Sequence, residues 1–149
     1  STYYGGYPHG YLKRIKALFP DKKNVLHLFS GKVDTEIIEG KRVDINPEHQ
    51  PDYLGNAEEL SSFVNEKFDL ILSDPPYSVE DCNHYGTSMI KRNKVLKECV
   101  KVLEPEGHLV WLDQVLPMYR KDELKTVGYI GMVKSTNHRF RVITFFEKK

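Results

Sequence analysis

The sequence predicts an α/β domain whose sheet is mostly parallel and closes in an antiparallel hairpin. Three observations lead there. Short apolar runs at residues 25–29 (VLHLF), 68–72 (FDLIL) and 108–112 (HLVWL) have the profile of buried strands, the first two closed at once by polar or glycine signals. Segments with helical spacing lie between the runs, so strand and helix alternate. Residues 129–133 and 141–146 (RVITFF) flank an Asn137-His138 turn and read as two adjacent strands.

The elements follow in order. Residues 3–11 (YYGGYPHGY) are rich in Tyr, Gly and Pro and read as a loop or binding segment. Leu12, Ile15, Lys16, Leu18 and Phe19 carry a short helical pattern, stopped by Pro20-Asp21. After the first strand, residues 32–41 are irregular, with a turn around Glu39-Gly40. Residues 42–45 are a second strand ended by Asn46-Pro47, and Tyr53-Leu54 is an edge strand running into Gly55-Asn56. Residues 57–65 predict a one- or two-turn helix. Residues 78–88 are a polar loop. From 89 to 103 the positions Ile90, Val95, Leu96, Cys99, Val100 and Leu103 mostly recur at three and four residues. The rest of that helix carries Lys91, Arg92, Lys94, Lys97 and Lys101, and Pro105-Glu106-Gly107 ends it. Residues 120–126 predict a short helix. Trp111 and Cys99 are expected in the core.

All 149 residues read as one domain, 1–149. At 40% hydrophobic and 29% charged, the composition excludes disorder, collagen-like sequence and a coiled coil. The net charge of +1 does not mark a general polyanion binder. The balance is uneven, however: residues 1–74 hold 9 basic and 12 acidic groups, the remainder 13 and 9, so −3 is joined to +4. No run approaches the roughly 18 apolar residues that span a bilayer. With no charged-then-apolar leader and only Cys82 and Cys99, a cytoplasmic protein without membrane contact is expected.

Ligands in open α/β sheets sit beyond the carboxyl ends of the strands. Three such ends carry signals here: Ser30-Gly31, Asp44 and Asp74. The sharpest is Asp74-Pro75-Pro76-Tyr77. Its two prolines fix the backbone and remove two N–H donors, leaving a rigid run of carbonyl acceptors beside a carboxylate. Such a group can accept both hydrogens of an amino group and turn the nitrogen lone pair toward an electrophile. Tyr77 offers a flat face for a planar base, a contact worth about 1–3 kcal/mol in single-strand binders. A plain strand-exit turn would use the same prolines.

DPPY after an apolar strand, preceded by a strand ending in Phe-x-Gly, resembles the amino-methyltransferases that use S-adenosylmethionine. Asp at the first position resembles their adenine-N6 type. The resemblance covers nearly the whole chain and implies a Rossmann-like class I methyltransferase sheet. Leu28, Phe29, Ser30 and Gly31 match the first cofactor motif. Asp44 matches the acidic residue that holds the ribose hydroxyls, and Asn56 with Ala57 the polar position near the cofactor's adenine amine. Tyr3, Tyr4, Gly5 and Gly6 resemble an N-terminal motif at the methionine end. By this resemblance Asp74, Pro75, Pro76 and Tyr77 are catalytic, with Asp74 also beside the cofactor. Two departures stand out. Val33 occupies the position of a second glycine, and only twelve residues separate Gly31 from Asp44, so the first crossover helix is shortened or replaced by a turn.

The implied reaction is methyl transfer from S-adenosylmethionine to an adenine N6 amine in DNA, with Asp74 or water removing the proton. RNA is the first alternative and a catalytically weak scaffold subunit the second. A protein glutamine amide is disfavoured, because those enzymes usually carry Asn where Asp74 stands. His84 and Tyr85 are candidate base contacts. His138 and Arg139, with Asn137 and Arg141, sit at a hairpin tip where basic side chains can reach phosphates. Cys82 and His84 make half a zinc site at best, so no metal is expected. The basic helix reads as a solvated face. With no insert long enough for a target-recognition domain, either specificity is low or it comes from a short loop, a second copy or a partner chain.

Overall fold

In the computed structural model, residues 10–29, 31, 35–76, 90–133 and 140–149 are described. Seven strands form one sheet in the order β3-β2-β1-β4-β5-β7-β6. They are β1 (Val25–Leu28), β2 (Lys41–Asp44), β3 (Tyr53–Leu54), β4 (Phe68–Ser73), β5 (Leu103–Asp113), β6 (Leu124–Val133) and β7 (Phe140–Lys148). The first five pair in parallel, whereas β7 runs antiparallel to both β5 and β6. The carboxyl ends of β1, β2 and β4 therefore share one rim. The strand order reverses between β1 and β4, and that switch point is where such sheets take ligands.

Side chains alternate between the two faces of each strand, and each face packs its own core. Leu26, Leu28, Ile71, Leu109, Trp111 and Phe146 meet α2 (Leu60–Phe63) and α3 (Arg92–Val102), the latter through Val95, Leu96, Cys99 and Val102. On the other face Val25, Leu70, Leu72, Val110, Leu112, Ile143 and Phe145 meet Tyr11, Leu12 and Ile15 of α1 (Tyr11–Leu18). Trp111 and Cys99 are fully buried, as expected of them.

The first crossover runs from Leu28 to Lys41. Its described residues hold a turn at 35–37 and no helix, in line with the short spacing. Ile38 anchors it in the core beside α1, and the carbonyl of Ile38 lies 3.1 Å from His27 Nε2. Gly40 allows the closest approach, since a Cβ there would meet the Val25 carbonyl at 2.6 Å.

Two expectations need correction. Residues 120–126 are not a helix: a turn at 121–123 leads straight into β6. Pro105-Glu106-Gly107 is not what ends α3, which stops at Val102. β5 already begins at Leu103 and passes through those residues, with Glu106 at φ 63° and an irregular register beside Phe68 and Leu70. The one- or two-turn helix expected over 57–65 is present, as a 3-10 turn, Ala57–Glu59, followed by the single turn of α2. Among the described residues no helix is long and apolar enough to cross a membrane.

Candidate active site

A pocket opens at the carboxyl rim. Phe29 enters it from the exit of β1, with Val43, Asp44 and Ile45 from the end of β2. Gly55, Asn56 and Ala57 come from the segment after β3, Pro76 from the exit of β4, and Ile90 from the approach to α3. Most of this lining is apolar, and polar groups converge at Asp44 and Asn56. Such a space suits a flat heterocycle between hydrocarbon walls with a hydroxyl-bearing sugar at one end.

Asp44 is 4% exposed and holds the loops around it. Its Oδ2 accepts the Gly31 N–H at 2.9 Å and lies 2.9 Å from His49 Nδ1, while Oδ1 accepts the Asn46 N–H at 2.8 Å. Arg42 clamps the same turn from below, donating to the carbonyls of Gly31, His49 and Gln50. Phe29 adopts φ 55°, a left-handed conformation that a bulky residue takes only where its surroundings force it. That turn aims the chain from β1 toward Asp44. Asn56 Oδ1 accepts the Glu58 N–H at 2.9 Å and so caps the 3-10 turn that carries Ala57.

Asp74, Pro75 and Pro76 follow β4 directly and are buried. Pro76 shares the pocket wall with Asp44, whereas Asp74, at the exit of β4, is not among the residues that line it. There Arg141 Nη2 donates to Asp74 Oδ1 at 2.6 Å, with both side chains about 5–6% exposed. This corrects the expectation that Arg141 sits at a hairpin tip and reaches phosphates. It lies within β7 on the face that also presents Ile143 and Phe145, and a guanidinium inside an apolar run requires a carboxylate partner. Tyr11 of α1 lies beside the pair. Burial first, then the Asp74 charge, raise the affinity of its phenol for its proton, and Arg141 opposes them.

At the end of β5, Asp113 is fully buried and takes Arg92 through Nε at 2.6 Å and Nη2 at 3.2 Å. It also accepts Trp111 Nε1–H at 3.0 Å. Arg92 thus leaves the basic stripe expected to be solvated. Lys91, Lys94, Lys97 and Lys101 remain exposed, and Lys101 pairs with Glu98 at 2.7 Å.

Of the residues predicted for the cofactor, the structure brings together Phe29, Asp44, Asn56 and Ala57, with Gly31 bonded to Asp44. Tyr3, Tyr4, Gly5, Ser30, Tyr77, His84, Tyr85, His138 and Arg139 lie outside the described residues, as do Gly6 and Cys82. Sequence reasoning missed Val43, Ile45, Gly55 and Ile90. Gly55 carried a readable signal beside Asn56, since a Cβ there would meet the Phe63 ring at 2.6 Å. Ile45, apolar yet 40% exposed next to Asp44, is recognisable only once the rim is assembled.

No family model matches the sequence, and no curated protein matches it. Solved structures do. TrmN from Thermus thermophilus superposes with a TM-score of 0.69 at 13% identity, over 93% of this chain and 48% of its own. The chain thus spans about half the length of that protein. N-methyltransferase NodS from Bradyrhizobium japonicum WM9, in complex with S-adenosyl-L-homocysteine, gives 0.64 at 16% identity over 94% and 85%. The 1,6-didemethyltoxoflavin-N1-methyltransferase of Burkholderia thailandensis, with its substrate and S-adenosylhomocysteine bound, gives 0.64 at 13% over 95% and 77%. At such identities the likeness carries the architecture: the chain has the Rossmann-like class I methyltransferase fold.

Proposed function

We propose that the chain is an S-adenosylmethionine-dependent methyltransferase acting on the exocyclic N6 amine of adenine in DNA. One observation carries this reading: Pro76 of the Asp74-Pro75-Pro76-Tyr77 motif lines the same pocket as Asp44. A carboxylate suited to a ribose and a motif suited to an amine therefore share a wall.

The residues fit the cofactor. Asp44 would accept the ribose hydroxyls, Asn56 would face the adenine amine, and Phe29, Ile45 and Pro76 would enclose the ring. When bound, S-adenosylmethionine supplies a sulfonium methyl that leaves its sulfur as a thioether and bonds to the amine nitrogen, which sheds one proton. The chain's own part is placement. Asp74 and the Pro75 carbonyl accept the hydrogens of the amine and hold its lone pair toward the pocket. The rigid Pro75-Pro76 backbone keeps these acceptors fixed while the base enters. In duplex DNA the base must first leave the stack, since the amine cannot be reached within it. Tyr77, His84 and Tyr85 are the proposed base contacts, His138 and Arg139 the phosphate contacts. A second copy or a partner chain is proposed to supply target recognition.

A cofactor-binding subunit without catalysis is the second reading, favoured by a first crossover that has no helix among its described residues. Labelled methyl transfer to DNA, RNA and protein separates these outcomes, with Asp74→Ala as control. The proposal expects label in DNA and at least about a 100-fold loss in the variant. Label in RNA alone moves the substrate, and cofactor binding with label in none supports the subunit reading. Transfer undiminished in Asp74→Ala contradicts the mechanism.

A further inference from the structure

Besides Asp44, two buried carboxylates stand at the carboxyl rim, one on each face of the sheet, and each is met by an arginine. Asp113 on the α3 face takes Arg92, the Trp111 indole and the Gln114 N–H, a purely internal network. Asp74 on the α1 face takes Arg141, which reaches it from β7 across β5. Only the second carboxylate belongs to the motif whose Pro76 lines the pocket.

We propose that Arg141 is a positioning residue for methyl transfer: its guanidinium holds Asp74 as a hydrogen-bond acceptor for the substrate amine, so that the proton released by the amine passes to water and not to Asp74. This inference rests on the function proposed above. A guanidinium keeps its charge at every accessible pH. At 2.6 Å, with both groups about 5–6% exposed, the attraction is little screened. Protonating Asp74 would strand the Arg141 charge in the interior, which is strongly unfavourable. A carboxylate offers two oxygens and about four lone-pair sites, so a guanidinium contact on Oδ1 is compatible with further hydrogen bonds to the same group.

Among the described residues, the groups around Asp74 agree with that division of labour. α1 contributes Tyr11, a buried phenol that stays protonated and adds no second anion. β5 contributes apolar Leu112 on this face, with Asp113 and Arg92 on the opposite one. β7 contributes Arg141 itself. The electron count closes without a base on the protein, because water takes the proton. The amine nitrogen bonds the methyl carbon, the carbon–sulfur pair returns to sulfur, and the surplus proton leaves nitrogen for water.

Arg141→Gln and Arg141→Lys test the idea in the full chain, by steady-state methyl transfer to DNA and by titration with S-adenosylhomocysteine. Arg141→Gln is expected to lower kcat about 100-fold, with KM for DNA and cofactor affinity within about threefold of the parent. Arg141→Lys restores the charge without the planar fork and is expected to recover about tenfold of that loss. A kcat for Arg141→Gln at or above the parent's overturns the inference, as does Arg141→Lys performing no better than Arg141→Gln. Should Arg141→Gln fail to fold, Arg141→Lys decides: kcat about tenfold below the parent supports the idea and parental kcat overturns it. A parent that binds cofactor but transfers nothing overturns the proposed function and this inference together, whereas an active parent indifferent to Arg141→Gln overturns this inference alone.

Discussion

The Asp44 carboxylate accepts the backbone N–H of Gly31 at 2.9 Å and thereby ties the end of β2 to the exit of β1. In a short crossover with no helix among its described residues, this side chain holds the first loop in place. The group proposed to bind ribose is thus also a structural strut. Asp44→Ala leaves buried N–H groups of Gly31 and Asn46 without their acceptor, at an expected cost of about 1–3 kcal/mol in urea unfolding. Asp44→Asn keeps one acceptor oxygen and should lose less.

Asn56 separates capping from ligand contact. Asn56→Ala removes the cap on the Glu58 N–H and should cost about 1 kcal/mol. Asn56→Asp retains an acceptor oxygen both for the turn and for the adenine amine. Its urea midpoint should stay near the parent's while affinity for S-adenosylhomocysteine is kept or rises. Weaker binding by Asn56→Asp at an unchanged midpoint would contradict this contact.

Asp113 should behave as a stability residue. Replacing it with Ala strands Arg92 and the Trp111 N–H around a site with no exposure, and about 3–5 kcal/mol of unfolding free energy should be lost. Equilibrium urea unfolding measures it. A loss below about 1 kcal/mol would mean that water reaches Arg92 easily.

His27 predicts an acid dependence. Burial holds its imidazole neutral, lowering its pKa from 6.5 to about 4, with the Ile38 carbonyl opposing. The unfolded chain takes up the proton first as pH falls, so this contribution is complete above about pH 6.5 and is lost progressively toward pH 4. The loss amounts to roughly 3 kcal/mol across that window. Urea unfolding at pH 7, 5.5 and 4.5, values chosen to bracket about the whole transition, should show His27→Gln with the flatter dependence.

What could be read in the sequence depended on how local each cause was. The apolar runs of β1 and β4 declare buried strands by themselves, and Asp44 and Asp74 follow because each stands at a strand's end. β6 is different. As an edge strand, exposed along most of its length, it has no alternation to read, and Lys125-Thr126 looked as compatible with a helix. The proline and glycine before His108 read as a stop, but the strand absorbs them through a positive φ at Glu106 and a register irregularity. The ion pair of Asp74 with Arg141 joins residues on strands that are not neighbours in the sheet, so no local pattern could disclose it. The one available signal was an arginine inside RVITFF, where a core-facing charge implies a distant carboxylate.

Calorimetric titration with S-adenosylhomocysteine tests the central claim, that the rim pocket beside Asp44 takes this cofactor, most directly. The account predicts saturable one-to-one binding to the parent and at least about a tenfold weaker constant for folded Asp44→Asn, because a neutral amide answers the ribose hydroxyls less well than an anion. No binding to the folded parent, or equal affinity in Asp44→Asn, would contradict it.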